Sequence, residues 1–462
     1  MGTRTLTRNR PVSMATASTT PLLSLSLALL AFAWAASPSP SPDAEAISRF
    51  QEYLRIDTAQ PAPDYAAAVA FLRNQASEAG LEARTLELVP GKPLLLLLRW
   101  PGRRPSLPSI LLNSHTDVVP SEPSKWDHPP FSAALDEASG RIYARGSQDM
   151  KCVGMQYLEA IRRLRSAGFI PDRTIHIIFV PDEEIGGHDG VELFVSSKEF
   201  KDMNVGLVLD EGLASPGEEY RVFYAERSPW WLTIKAKGAP GHGAKLYDGS
   251  AMENLMKSVE AIRRFRTSQF DLVKSGEKAE GDVVSVNFAY LKAGTPTPTG
   301  FVMNLQPSEA EVGVDIRMPP DVHTEALERR LIEEWAPSSR NMSFEFKQRG
   351  SVLDNFGKPA FTPADSSNPW WPVFEEAVKR AGGKLAKPEV FPASTDARYF
   401  RKIGLPAFGF SPMANTPVLL HDHNEFLSKD EYIKGIGIYE SIIRALATHN
   451  DEARDEESMA EL

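Results

Sequence analysis

Carboxylates and imidazoles recur in this chain at the ends of short apolar runs. His115 and Asp117 close Ile110-Leu-Leu-Asn-Ser-His-Thr-Asp. Asp149 follows Ala144-Arg-Gly-Ser-Gln. Glu183 and Glu184 follow Ile177-Ile-Phe-Val-Pro-Asp and precede Ile-Gly-Gly. Glu211 follows Val208-Leu-Asp, and His421 and His423 lie in Leu420-His-Asp-His. A strand end delivers its side chain to one edge of a sheet at low conformational cost. Several such ends carrying these groups point to one metal centre at the C-terminal edge of a parallel sheet.

Each stretch has its own logic. His115 and Asp117 are two apart, so on an extended segment they face the same side. A ligating imidazole commonly gives its other ring N–H to a carboxylate, which Asp117 supplies. Asp149, just ahead of a helical pattern, reads equally as a helix cap. Glu183 and Glu184 are adjacent and point to different sides, so one can bind metal while the other faces a water. Carboxylates this crowded resist ionising together unless a cation intervenes. Glu211 repeats the strand-end pattern, and Asp210 beside it reads as structural. Of His421 and His423, either could ligate.

The elements that must position these groups come next. From Ala44 to about Arg227, helical and strand patterns alternate. Runs such as Leu94–Arg99, Ser109–Asn113, Thr174–Val180 and Val205–Asp210 are continuously apolar. That implies strands buried on both faces, in a mixed, mostly parallel sheet with helices on each side. From 228 to 348 the strands alternate instead, in the order βαββαβ of a ferredoxin-like α+β sandwich. From 349 to 450 the helix–strand–helix rhythm returns. The expected organisation is therefore a catalytic α/β domain in two parts (44–227 and 349–450) with an inserted domain at 228–348. An acidic tail follows at 451–462.

Bulk properties narrow the function. The 462 residues are too many for one ordinary core. The 51 basic and 61 acidic residues leave a net charge of −10, which argues against a nucleic-acid surface. A single cysteine, Cys152, excludes an internal disulfide and a thiolate zinc site, so any metal is held by oxygen and nitrogen. Cys152 itself reads as a buried packing residue. Arg4, Arg8 and Arg10 precede the apolar run Leu22–Trp34 and then Ala35-Ala36. This predicts a cleaved secretory signal over 1–36, too short for a membrane span, and a Pro/Ser linker over 37–43. The secretory route (endoplasmic reticulum, vacuole or extracellular) is the expected localisation, with no stable membrane insertion after cleavage and a cytoplasmic location as the alternative.

Taken together, the motifs carry a family resemblance. They are Asn113-Ser-His-Thr-Asp-Val-Val-Pro, Arg145-Gly-Ser-Gln-Asp-Met-Lys, Pro181-Asp-Glu-Glu-Ile-Gly-Gly, Leu209-Asp-Glu-Gly, Gly238-Ala-Pro-Gly-His-Gly, Gly409-Phe-Ser-Pro-Met and Thr416-Pro-Val-Leu-Leu-His-Asp-His. In this order and spacing the chain resembles the aminoacylase and carboxypeptidase family of co-catalytic zinc hydrolases. The resemblance implies two Zn2+ per subunit bridged by Asp149. His115 and Glu211 would complete one site, and Glu184 and His423 the other. Asp117 would orient His115, and Glu183 would be the general base. The peptide bond after Asp149 would be cis. Arg398, in Ser394-Thr-Asp-Ala-Arg, would clamp the substrate carboxylate. His242 and Asn304, from the inserted domain, would hold the oxyanion and the substrate. His242 would reach the partner subunit's site in a homodimer formed through that domain. The segment Val302-Met-Asn-Leu-Gln-Pro departs from the family's usual Asn-Val-Ile-Pro ending. Glutamate rather than aspartate at 211 matches the family's deacylases and carboxypeptidases. The implied activity is hydrolysis of N-acyl-L-amino acids to a free L-amino acid and a carboxylate. A carboxypeptidase or dipeptidase with the same metal site is one alternative, and a non-catalytic metal-binding scaffold that keeps the fold is the other.

Overall fold

Three neighbouring parallel strands lead His115, the Glu183–Glu184 pair and Glu211 to one edge of a single sheet. The computed structural model describes residues 41–92 and 94–449. The expected signal (1–36), most of the linker and the acidic tail lie outside the described residues. In chain order the main elements are α1 (Pro42–Leu54), α2 (Tyr65–Glu78), β1 (Glu82–Leu86), β2 (Leu95–Trp100), β3 (Ser109–His115), α3 (Lys151–Ser166), β4 (Ile175–Val180), β5 (Val205–Asp210) and β6 (Val222–Glu226). Then follow β7 (Ser228–Lys237), α4 (Ala251–Lys274), β8 (Ser285–Ala293), β9 (Glu309–Met318), α5 (Thr324–Arg330) and β10 (Met342–Arg349). The last are α6 (Trp370–Arg380), β11 (Glu389–Phe391), α7 (Ala397–Lys402), β12 (Ala407–Phe410) and α8 (Lys429–Thr448).

The eight-stranded sheet runs β1-β2-β4-β3-β5-β12-β6-β11. Its centre, β4-β3-β5-β12, is parallel. The pairings β1–β2, β2–β4 and β12–β6 are antiparallel. The continuous apolar runs are the central strands, as burial on both faces requires. Leu112, Ile177 and Leu209 pack toward α1, α3, α6 and α8. Leu111, Ile178 and Val208 pack on the opposite face with Phe200 and α7. Gly154 lets α3 approach the sheet closely, since a Cβ there would lie 2.6 Å from the Phe179 ring and 2.7 Å from Ser114 Oγ. Helix starts follow local chemistry. Asp64, Ser250 and Ser428 side chains accept the backbone N–H groups of Ala67, Glu253 and Glu431.

A second, four-stranded sheet in the order β8-β9-β7-β10 is antiparallel throughout. With α4 and α5 it forms the ferredoxin-like arrangement, and Trp230, Ile234, Val312, Ile316 and Trp335 fill its own core. The described residues from Pro42 to His449 nevertheless form one compact unit. Three further short strands, β1, β6 and β11, which the apolar runs do not mark, extend the main sheet at its two ends.

Candidate metal centre

β3 ends at His115, whose sheet partner is Val180 at the end of β4. Three residues past Val180 comes Glu183, and one residue past β5 comes Glu211. Asp149 arrives from the loop before α3, across a cis peptide bond to Met150. Two strand ends and this loop thus bring four carboxylates to one place. Atoms of His115, Asp149 and Glu184, and of His115, Glu183 and Glu211, lie within 4.8 Å of one another.

The imidazole of His115 is buried, with Nδ1 2.9 Å from the Asp117 backbone carbonyl. The N–H therefore sits on Nδ1 and donates to that oxygen, leaving the Nε2 lone pair bare. Nε2 faces Asp149 Oδ1 at 3.0 Å and Glu211 Oε2 at 3.7 Å. A lone pair aimed at carboxylate oxygens is favourable only when a proton or a cation lies between them. The carboxylate of Asp117 stands 3.6 Å from Nδ1. Asp117 thus orients the ring chiefly through its backbone. Its carboxylate accepts the N–H groups of Glu183 and Glu184 and the Gln60 amide, and so fixes the two-glutamate turn.

The second histidine position is corrected by the structure. Nε2 of His421, not of His423, lies 3.2 Å from Asp149 Oδ2 and 3.1 Å from Glu184 Oε2. His423 turns away, with Nε2 3.9 Å from Glu122. The reason is backbone conformation. His421 and Asn424 both take left-handed φ values of 62° and 56°, so the segment is not extended and residues two apart do not share a side.

Electrostatics mark the cluster as incomplete by itself. Burial and the Glu211 charge push the Glu183 carboxyl well above the carboxylate range. Burial and the Asp149 charge do the same to Glu211. Burial also raises Glu184, again with help from Asp149. Burial opposes ionisation of Asp149 too, but hydrogen bonds with His115 and His421 overcome it and hold this group low. Hydrogen bonds to Asp149 and Glu184 push His421 up to about 10. Glu184 Oε1 is buried with no hydrogen-bond partner. Two imidazole nitrogens, crowded carboxylates and an orphaned oxygen fit a divalent metal centre with N/O ligands such as zinc.

A pocket of about 330 Å³ opens over this cluster. Its floor is Asp149, Glu183, Glu184, Glu211 and His421. Arg398 lines it from the main domain, and Trp231 and Arg317 reach it from the second sheet. The Arg398 guanidinium is fixed by donating to the carbonyls of Thr395 (2.7 Å) and Gly186 (2.8 Å), and it lies over the Tyr399 ring. It also donates to the Tyr399 hydroxyl at 3.5 Å. His242 and Asn304 come together elsewhere. His242 pairs with Leu305 in a two-residue ladder, and Gly243 N–H donates to the Asn304 carbonyl. Both are exposed on the second sheet's layer, and neither lines the pocket.

Sequence reasoning missed Glu425. This buried carboxylate pairs with Arg145 at 2.8 Å and accepts the N–H groups of Gly146, Gln148 and Asp149. It thereby holds the loop that presents Asp149. The only signal for it was an acidic residue at the end of the Leu420–Glu425 stretch.

Comparison with known proteins places this geometry in a family. The pattern of peptidase family M20/M25/M40 matches residues 111–445. Aminoacylase-1 of Mus musculus is 46% identical over 404 residues, covering 87% of this chain and 95% of that protein. Aminoacylase-1 of Dictyostelium discoideum is 44% identical over 406 residues, covering 86% and 97%. Among solved structures, an M20-family metallo-carboxypeptidase from Sulfolobus solfataricus superposes with a TM-score of 0.63 at 17% identity, over 87% of this chain and 99% of that one. With its strand-end carboxylates, its paired histidines and this match across most of its length, the chain belongs to peptidase family M20/M25/M40.

Proposed function

We propose that the protein hydrolyses N-acyl-L-amino acids to a free L-amino acid and a carboxylate, with two zinc ions per subunit. The observation that carries this reading is a single pocket holding both the carboxylate–histidine cluster and Arg398. One end suits amide hydrolysis and the other suits a carboxylate-bearing substrate. The names of the relatives at 44–46% identity support the acyl-amino acid class.

His115, Asp149, Glu184, Glu211 and His421 would hold the metals, and the metals would supply Lewis-acid polarisation of the amide carbonyl. Arg398 takes the substrate carboxylate bidentately, which its planar fork permits. Glu183, raised by burial, accepts the proton of the attacking water at its carboxylate. It then returns that proton to the departing nitrogen. The turn held by Asp117 keeps Glu183 aimed into the pocket.

His242 and Asn304 would complete the site from a second subunit, holding the oxyanion and the substrate. The outer edge of β8 is unpaired among the described residues, and Tyr290 and Leu291 beside it are exposed at 44% and 57%. Phe301 and Met303, next to Asn304, are exposed at 60% and 92%. An unpaired strand edge flanked by apolar side chains suits pairing with a second copy of this chain. Residues 228–348 would then serve as both lid and dimerisation domain. The N-terminal signal reading adds a secretory localisation, to be checked by N-terminal sequencing of the mature protein.

The deciding experiment is a hydrolysis panel of N-acyl amino acids and dipeptides with zinc-loaded wild type and Glu183→Gln. Preference for N-acetyl-L-methionine, lost by at least about 100-fold in the variant with two zinc ions still bound, supports the reading. Preference for dipeptides, or loss of zinc from Glu183→Gln, overturns it.

A further inference from the structure

The strand that crosses from the main sheet into the second one carries a buried carboxylate with no part in the metal cluster. Glu226 is the last residue of β6, two positions before β7 begins, and is 8% exposed. Its Oε2 accepts two hydrogen bonds from Thr395, one from the backbone N–H at 3.0 Å and one from Oγ1 at 2.7 Å. The same oxygen lies 3.5 Å from the Arg401 guanidinium. The Thr395 carbonyl is in turn an acceptor for Arg398 at 2.7 Å. The Thr395 hydroxyl also accepts the N–H of Ala397, the first residue of the helix that bears Arg398. Thr395 thus takes both its backbone and its side-chain anchor from Glu226 and gives its carbonyl to Arg398.

The next residue reinforces this grip. Arg227 donates to the Pro392 carbonyl, and its own carbonyl accepts the Ser394 hydroxyl at 3.0 Å. Its guanidinium also donates to the Glu280 carbonyl in the second domain, at 3.2 Å. The crossover therefore holds the 392–398 loop from one side while touching the second domain from the other.

We propose that Glu226 is a positioning residue for substrate binding, acting through Thr395 to hold the Arg398 guanidinium where it meets the substrate carboxylate. This rests on the reading of Arg398 as the carboxylate clamp. A fixed guanidinium discriminates charged from neutral ligands by geometry, so a small displacement costs affinity for the carboxylate alone. A merely structural carboxylate would affect all substrates alike.

The test compares kcat/KM for N-acetyl-L-methionine with that for its carboxyl amide, which presents no charge to Arg398. It uses the zinc-loaded full chain, with thermal unfolding measured alongside. Glu226→Leu, which removes the acceptor of both Thr395 bonds, and Thr395→Val are expected to reduce the preference for the free carboxylate by about tenfold to 100-fold, chiefly through KM. Glu226→Gln, whose amide oxygen can still accept from Thr395, and Thr395→Ser, which keeps the hydroxyl, are expected to retain it. If Glu226→Leu fails to fold, the Thr395→Val and Thr395→Ser pair decides. Equal loss on both substrates, or a preference unchanged in Thr395→Val, overturns the proposal. Arg398→Lys separates the two levels. If Arg398→Lys leaves the preference intact, the clamp reading itself fails. If it abolishes the preference while Glu226→Leu and Thr395→Val do not, only the role of Glu226 fails.

Discussion

Glu425→Gln is an isosteric change that should cost far more than its size suggests. Glu425 is 0% exposed and its ion-pair partner Arg145 is 2% exposed. One carboxylate oxygen accepts Arg145 at 2.8 Å and the Gly146 N–H at 3.1 Å. The other accepts the Gln148 N–H at 2.6 Å, the Asp149 N–H at 3.3 Å and the Ser147 hydroxyl at 3.4 Å. Burial pushes the Glu425 carboxyl up while Arg145 and the Gln148 N–H pull it back. The net direction is up, and the groups that face its two oxygens are all donors. In the glutamine variant, either amide orientation sets an NH2 group against at least two donors, and Arg145 keeps an uncompensated buried charge. Truncating one partner of a buried pair costs about 3–5 kcal/mol. Each buried donor left unmade adds about 1–3 kcal/mol, although relaxation of the loop keeps the terms from adding in full. The expected loss is therefore about 3–5 kcal/mol, read by urea unfolding at pH 7. The exposed control Glu137→Gln should stay within about 0.5 kcal/mol of wild type. Because the same carboxylate holds the Asp149 N–H, zinc content should fall together with stability. A Glu425→Gln protein within about 1 kcal/mol of wild type and with full zinc would refute this account of the loop.

Other perturbations separate the remaining assignments. His421→Ala should lower zinc content by elemental analysis and abolish turnover, whereas His423→Ala should retain both metals. Mixing His242→Ala with Glu183→Gln subunits should recover about a quarter of wild-type activity. Half of the random dimers are mixed, and each contains one intact site built from both chains. No recovery after subunit exchange would place His242 outside the partner's site. His176, buried on β4, is held at about 4, chiefly by desolvation and further by the Arg99 charge. Its unfolded value of 6.5 is higher, so the unfolded chain binds the extra proton between these two values. Stability from this group is therefore complete above pH 6.5 and lost as pH falls toward 4. His176→Phe should remove up to about 3 kcal/mol of that acid sensitivity, as the difference in urea unfolding between pH 7 and 4.

What could be read from the sequence, and what could not, divides along physical lines. The central strands were legible because burial on both faces leaves continuous apolar runs, as in Thr174–Val180 and Val205–Asp210. Strands β1, β6 and β11 were not, because they are short and lie toward the ends of the sheet, where packing imposes less pattern. His115, Glu184 and Glu211 were legible because strand ends place residues predictably, whereas Asp149, on a loop and equally readable as a helix cap, entered only through the family resemblance. The choice between His421 and His423 was not. It depends on left-handed backbone at His421 and Asn424, and neither position is a glycine that would have announced it. Glu425 was hidden for a different reason. Its partner Arg145 lies 280 residues away, and no local pattern records a pairing at that distance.

Asp117 sits beside the cluster in a different way from the one its spacing suggested. Its spacing from His115 suggested a carboxylate set against an imidazole. In the fold the imidazole takes the backbone carbonyl instead, which frees the carboxylate to hold the Glu183–Glu184 turn. The same group thus couples the orientation of a ligand to the placement of the base. Asp117→Asn, which keeps the backbone carbonyl, should leave His115 in place. It sets an amide N–H2 against one of the glutamate N–H groups and should loosen the turn. Its expected signature is therefore a fall in kcat with zinc retained. If zinc were lost instead, the carboxylate would be acting on His115 after all, as the spacing alone suggested.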